Sequence, residues 1–270
     1  RHLHSFPTRR SSDLGRRLER LGKRLPEGKV AESWEISGHP DGLGHVGEGA
    51  LSGWTIPELM REYGTALIGK DLPEASLATF PLLVKFIDAT DRLSVQVHPD
   101  DAFAAVHENG GLGKNEMWVV LDAEPGASLV YGLVPGTTQE RFSEAAQSGQ
   151  LESCLQVVPA KAGDVFDIPA GLVHAIGAGL VIAEIQQSSN TTYRVFDYNR
   201  TDAAGNRRPL HVEKALQVID FQLNPSAGAA EEPVADDQGT LRTILVSNAY
   251  FVVERLVISR IFEGLADGSR

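Results

Sequence analysis

Short apolar runs, each closed by turn residues, limit how this chain can fold. Phe80 to Ile87, Leu93 to Val97, Met117 to Leu121, Ser128 to Tyr131, Val165 to Ile168, Leu180 to Ile185 and Tyr193 to Tyr198 are bounded by Gly, Pro, Asp or Asn. Their length and β-branched content favour strands. Many short strands separated by turns predict a barrel or a jelly roll. No apolar run approaches the roughly 20 residues that cross a bilayer, and the arginine-rich start lacks the apolar segment of a signal peptide. The expectation is a cytoplasmic protein with no membrane partner.

Helices are predicted to be few and short. Thr55 can cap a helix that Glu58 completes as a capping box, with Leu59, Met60 and Tyr63 on its apolar side. A second is expected after His98-Pro99-Asp100-Asp101, ending at Asn109-Gly110. A third falls within Thr138 to Ala146, and a fourth around His211 to Ile219. Residues 224–240, rich in Pro, Ala, Gly and acid, read as a linker. Arg242 to Val246 and Tyr250 to Ile258 then look like strands of an incomplete second β unit, 241–270. At the other end, residues 1–14 (RHLHSFPTRRSSDL) resemble a translated adapter and are expected to lack packed structure. That leaves 15–223 as the main domain.

The 270 residues are 42% hydrophobic, enough for a substantial core, and carry a formal charge of -11. Such a charge argues against nucleic acid or an anionic membrane as a partner. A small anionic substrate would need a local basic pocket. Cys154 is the single cysteine, so neither an internal disulfide nor an all-cysteine metal cluster can form; it reads as a small buried side chain.

Four phrases carry chemistry. Gln96 and His98, two apart at a strand end, share one face and can offer an amide oxygen and an imidazole to a metal. An isolated histidine there would be a turn residue. Lys114 and Glu116 likewise share a face, and alone would be a solvated ion pair. In Gly163 to His174 a strand ends at Pro169-Ala170-Gly171, where glycine and proline permit a tight reversal that presents His174. Glu184 and Arg194 lie ten residues apart in the fourth. His39, His45 and His107 read as solvated, and Trp34, Trp54 and Trp118 as packing residues.

The spacing from Gly163 to His174 resembles the second cupin motif, with Ala178 where Asn is usual. The first cupin motif is replaced by Gln96, His98 and the more distant Glu116. Ser94 to Asp101, Gly113 to Glu116, Ile168 to His174 and Glu184 to Val195, with Ala31 to Ser37 upstream, together resemble the type I phosphomannose isomerases. The resemblance implies a mainly β, cupin-like jelly-roll barrel and an aldose-ketose isomerase acting on a small phosphorylated sugar. It places Gln96, His98, Glu116 and His174 as zinc ligands, Arg194 as the catalytic-site arginine and Lys114 as a substrate-contacting lysine. Two neutral nitrogens, a carboxylate and an amide oxygen suit Zn2+. Glu184 is a candidate acid/base or orienting carboxylate, the alternative being a structural ion pair. Arg194 could instead pair with Asp197 or Glu184. Asn190 stands where the family often has Asp and cannot act as a carboxylate base. An Fe or Mn cupin oxygenase and a non-catalytic sugar-binding cupin are the rival functions; the oligomeric state is not legible.

Overall fold

The computed structural model describes residues 8–9, 15–28, 30, 32–69, 79–201, 204–223, 225, 232–236 and 239–258. In chain order the strands are β1 (Thr8–Arg9), β2 (Glu32–Ser37), β3 (Leu82–Ala89), β4 (Val95–Val97), β5 (Glu116–Ala123), β6 (Ser128–Leu133) and β7 (Leu155–Pro159). They continue with β8 (Val165–Ile168), β9 (His174–Ala175), β10 (Leu180–Gln187), β11 (Tyr193–Phe196), β12 (Val234–Ala235), β13 (Leu241–Ser247) and β14 (Val252–Val257). The helices are α1 (Ile56–Tyr63), α2 (Thr65–Ile68), α3 (Asp101–His107), α4 (Gln139–Ser148) and α5 (Val212–Val218).

Two antiparallel sheets form the mainly β body. One has the order β1-β2-β3-β10-β5-β8, the other β11-β4-β9-β6-β7. Strand alternation decides what fills the space between them. Ile87 and Ala89 of β3, Trp118 and Val120 of β5, Phe166 and Ile168 of β8 and Leu180 and Ile182 of β10 meet Leu129 and Tyr131 of β6 in one buried cluster. Continuing along the same faces of β3, β5 and β10, the side chains become polar: Lys85, Glu116, Glu184 and Gln186, all buried. One end of the interior is therefore a hydrocarbon core and the other a polar chamber.

The helices sit where capping chemistry allows them. Thr55 and Glu58 form the expected capping box on α1, and Asp100 accepts from Phe103 N at 2.8 Å to start α3. Phe142 and Ala145 of α4 and Ala215 of α5 pack with Val95 and Val97 on the second sheet's outer face. That cluster also holds Cys154, which is fully buried.

Several elements depart from the sequence reading. The two-residue β1 pairs with Ser33 and Glu32 of β2 inside the segment expected to be unpacked; the rest of 1–14 lies outside the described residues. β2 and β7 were not foreseen as strands: charged Glu32 and Glu35 interrupt one, and the other emerges directly from a 3-10 turn at Leu151–Cys154. Val234 and Ala235, expected in the linker, pair with β13 to make a third sheet of order β12-β13-β14. That sheet lays Val246 and Phe251 against Met117 and Val165 on the outer face of the first. Among the described residues, no helix is long and apolar enough to cross a membrane.

Candidate metal centre

Register brings the polar residues together. On the first sheet Glu184 of β10 lies opposite Lys85 of β3 and Trp118 of β5, and Gln186 lies opposite Glu116. On the second, Gln96 of β4 lies between Arg194 of β11 and His174 of β9. His98 follows β4 by one residue. The Pro169-Ala170-Gly171 turn before His174 is fixed by Gly171, whose φ of +85° disfavours a side chain and whose N–H donates to His98 O at 3.0 Å. The two histidine-bearing segments are thus tied backbone to backbone.

His98, Glu116 and His174 are buried, with ligand atoms all within 4.8 Å of one another. His174 Nε2 is 3.3 Å from Glu116 Oε1, and His98 Nε2 is 3.6 Å from Glu116 Oε2. His98 Nδ1 faces Thr191 O at 2.9 Å and His174 Nδ1 faces Leu172 O at 2.8 Å. A carbonyl only accepts, so both Nδ1 atoms carry the proton and both Nε2 lone pairs turn toward Glu116. Burial, reinforced by Lys114, pushes His98 well below the usual histidine range and His174 down to about 3. Both imidazoles are therefore neutral, as metal ligands must be.

Gln96 approaches from the second sheet, with its amide nitrogen 3.5 Å from His174 Nε2. A half-turn of the amide presents Oε1 at the same place. Glu116 Oε1 is buried and has no hydrogen-bond partner. Burial first and Glu184 second raise the Glu116 carboxyl, in spite of the adjacent Lys114. An orphaned carboxylate oxygen beside two directed nitrogen lone pairs fits a divalent cation, which supplies the missing partner and offsets the charge.

Lys114 joins this group. Its Nζ lies 2.9 Å from His98 Nε2 and contacts Glu116 Oε2 more closely. The pair is buried, not the solvated ion pair an isolated reading would make it. Glu184 is adjacent but differently engaged. Lys85 Nζ donates to its Oε1 at 2.9 Å and Trp118 Nε1 to its Oε2 at 3.0 Å. Burial alone would raise this carboxyl, but Lys85 and Lys114 outweigh it and hold it well below the usual range. Arg194 lies half-buried beside Gln96 in register; its Nε donates to Ser94 Oγ at 3.2 Å and its Nη1 to Pro209 O at 3.1 Å. Asp197 instead receives Arg200 and Arg208, and Glu184 receives Lys85. Asn190 donates to Asp41 at 2.8 Å on the wall of an open pocket of about 500 Å³ that also includes Thr191.

The sequence reading missed Lys85, although a lone charge inside the run Phe80 to Ile87 was a signal. It also missed a clamp around the site. Asn115 N and Nδ2 donate to Gln187 Oε1, Gln187 Nε2 donates to Asp101 Oδ1, and Asn115 Oδ1 accepts from Ala170 N. Trp34 and Trp118 are buried, as expected of packing residues. His45 and His107 are exposed, whereas His39 is half-buried and packs edge-on against Trp34.

Comparison with known proteins gives concordant matches. A sequence model of the phosphomannose isomerase type I catalytic domain matches residues 17–115. The mannose-6-phosphate isomerase of Streptococcus mutans serotype c is 41% identical over 246 residues, 91% of this chain and 75% of that protein. Mannose-6-phosphate isomerase ManA of Bacillus subtilis strain 168 is 38% identical over 245 residues, again 91% and 75% of the two chains. The crystal structure of a mannose 6-phosphate isomerase from Bacillus subtilis superposes with a TM-score of 0.85 at 30% identity, covering 94% of this chain and 79% of that one.

Proposed function

Because this chain belongs to the type I phosphomannose isomerase family, we propose that it interconverts mannose 6-phosphate and fructose 6-phosphate at a zinc site formed by Gln96, His98, Glu116 and His174. The observation that carries the reading is the gathering of two neutral imidazoles around one buried carboxylate, Glu116, whose Oε1 faces His174 Nε2 and has no hydrogen-bond partner. Nitrogen and oxygen donors without thiolate suit a borderline divalent ion. When bound, zinc supplies Lewis acidity toward the sugar oxygens.

The chain's own residues account for the rest. The reaction moves a proton between C2 and C1 through a cis-enediolate, so negative charge develops on the two oxygens. Lys114 beside the ligand set and Arg194 beside Gln96 are the cations placed to offset it. Local positive charge is needed because the chain as a whole carries -11. Glu184 has both oxygens engaged and an acidified carboxyl, which makes it a poor base; its role is to hold Lys85 in the chamber.

A coupled assay that detects fructose 6-phosphate from mannose 6-phosphate, run with elemental analysis on the same samples, tests this reading. The wild-type protein is expected to turn over with about one zinc per chain, a single site's worth. His98→Ala and His174→Ala are expected to lose both metal and turnover. Full metal content in both variants would remove these residues from the ligand set.

A further inference from the structure

The buried chamber already contains a cation that belongs to the chain. Lys114 Nζ donates to His98 Nε2, because Nδ1 of that ring is committed to Thr191 O and Nε2 can only accept. The same ammonium contacts Glu116 Oε2. These are two of the atoms that the zinc reading assigns to the metal. One lone pair cannot serve an N–H donor and a metal together, and two cations sharing one carboxylate repel in a dry site.

The backbone that carries Lys114 is fixed. Lys114 N donates to Pro99 O at 3.0 Å, and Gly113 N donates to Asp101 Oδ1 at 2.7 Å. A Cβ at Gly113 would come within 2.5 Å of the Asp100 carbonyl carbon and Asp101 N, so the loop is packed directly on the start of α3. On the other side Asn115 is bound to Gln187 and Ala170. Any displacement of the ammonium must therefore come from the four-carbon side chain, which has the rotational freedom for it.

We propose that Lys114 is an exchangeable internal cation: without metal it bridges His98 and Glu116 and keeps the ligands converged, and zinc entry expels it from the ligand set toward the sugar. The inference rests on the zinc reading above. It imposes an order, metal before substrate, because the lysine that meets the sugar is freed only once zinc has taken its place. It also gives Lys114 opposite effects on the two states, supporting the metal-free protein and competing with zinc.

The test compares wild-type protein with Lys114→Met, using a zinc-binding dye as competitor and thermal unfolding with and without zinc. The variant is expected to bind zinc more tightly, on the order of tenfold: the size is that of changes beside metal ligands, which usually weaken binding, and the sign is reversed because a competing cation is removed. Its metal-free form is expected to melt lower, and zinc to raise its melting temperature by more than in wild type. Zinc affinity that is unchanged or weaker in Lys114→Met overturns the proposal. Should the metal-free variant not fold, wild-type protein suffices: acetylation of Lys114, followed by peptide mass spectrometry, is expected to be faster with zinc than without. Equal or slower labelling with zinc also overturns it. Wild-type protein that binds no zinc would contradict the metal reading itself, whereas zinc binding indifferent to Lys114 contradicts only this inference.

Discussion

Arg194 lies on the strand beside Gln96 without joining the proposed metal ligands. Its guanidinium is held by Ser94 Oγ and Pro209 O, on the strand next to Gln96, and makes none of the contacts among His98, Glu116 and His174. Arg194→Ala is therefore expected to lower turnover on the order of a hundredfold while leaving zinc content unchanged, since it removes a charge-stabilising donor and no ligand. A coupled assay and elemental analysis on the same sample check both halves. At this scale the sequence was informative where chemistry is local: Gln96-Val97-His98, Lys114-x-Glu116 and the Pro-Ala-Gly turn before His174 each span only a few residues. It was silent where partners are distant. Lys85 meets Glu184 across 99 residues and Trp118 meets Glu184 across 66, and only strand register makes those pairs.

At the scale of elements, the site depends on three segments being held in one arrangement. Gln187, at the end of β10, links Asn115 before β5 to Asp101 at the start of α3, while Asn115 also holds the turn before β9. Gln187→Ala removes the acceptor that Asn115 N and Nδ2 share, while Asp101 Oδ1 keeps Gly113 N; a polar group stranded in this way costs about 1–3 kcal/mol where it is buried. Denaturant unfolding is expected to show that loss, and zinc affinity to fall with it. Asp197, just past β11, accepts from both Arg200 and Arg208, which hold its carboxyl below the usual range against the opposing effect of burial. A carboxyl with a lowered folded-state pKa stabilises the protein above its unfolded value, about 3.9, and that contribution is lost as pH falls through the folded value. Asp197→Asn is thus expected to be less stable than wild type at neutral pH, with the gap closing below about pH 4. The capping box of Thr55 and Glu58 made α1 legible in the sequence. β2 escaped notice because its alternation is broken by charge, and its place depends on pairing with β3, which no local pattern reveals.

For the molecule as a whole, one packed interior supplies both stability and chemistry. The alternation that buries Ile87, Trp118 and Ile182 continues along the same strands to Lys85, Glu116 and Glu184. The opposite faces of β5 and β8 carry the third sheet through Phe251 and Val246. Phe251→Ala is expected to cost about 3 kcal/mol by opening a cavity there, with no change in zinc content, because Glu116, the proposed ligand on β5, lies on that strand's other face. Calorimetry and elemental analysis separate the two effects. The barrel was legible from many short strands with turns between them, but the seat of the third sheet was not, since contact between distant sheets has no sequence period. On the function proposed here, a divalent metal held by Gln96, His98, Glu116 and His174 sustains the isomerase. The most direct measurement is turnover of mannose 6-phosphate before chelation, after chelation and after zinc is restored. Loss of turnover on chelation and recovery with zinc is the expected result; undiminished turnover in protein shown to be free of metal would contradict it.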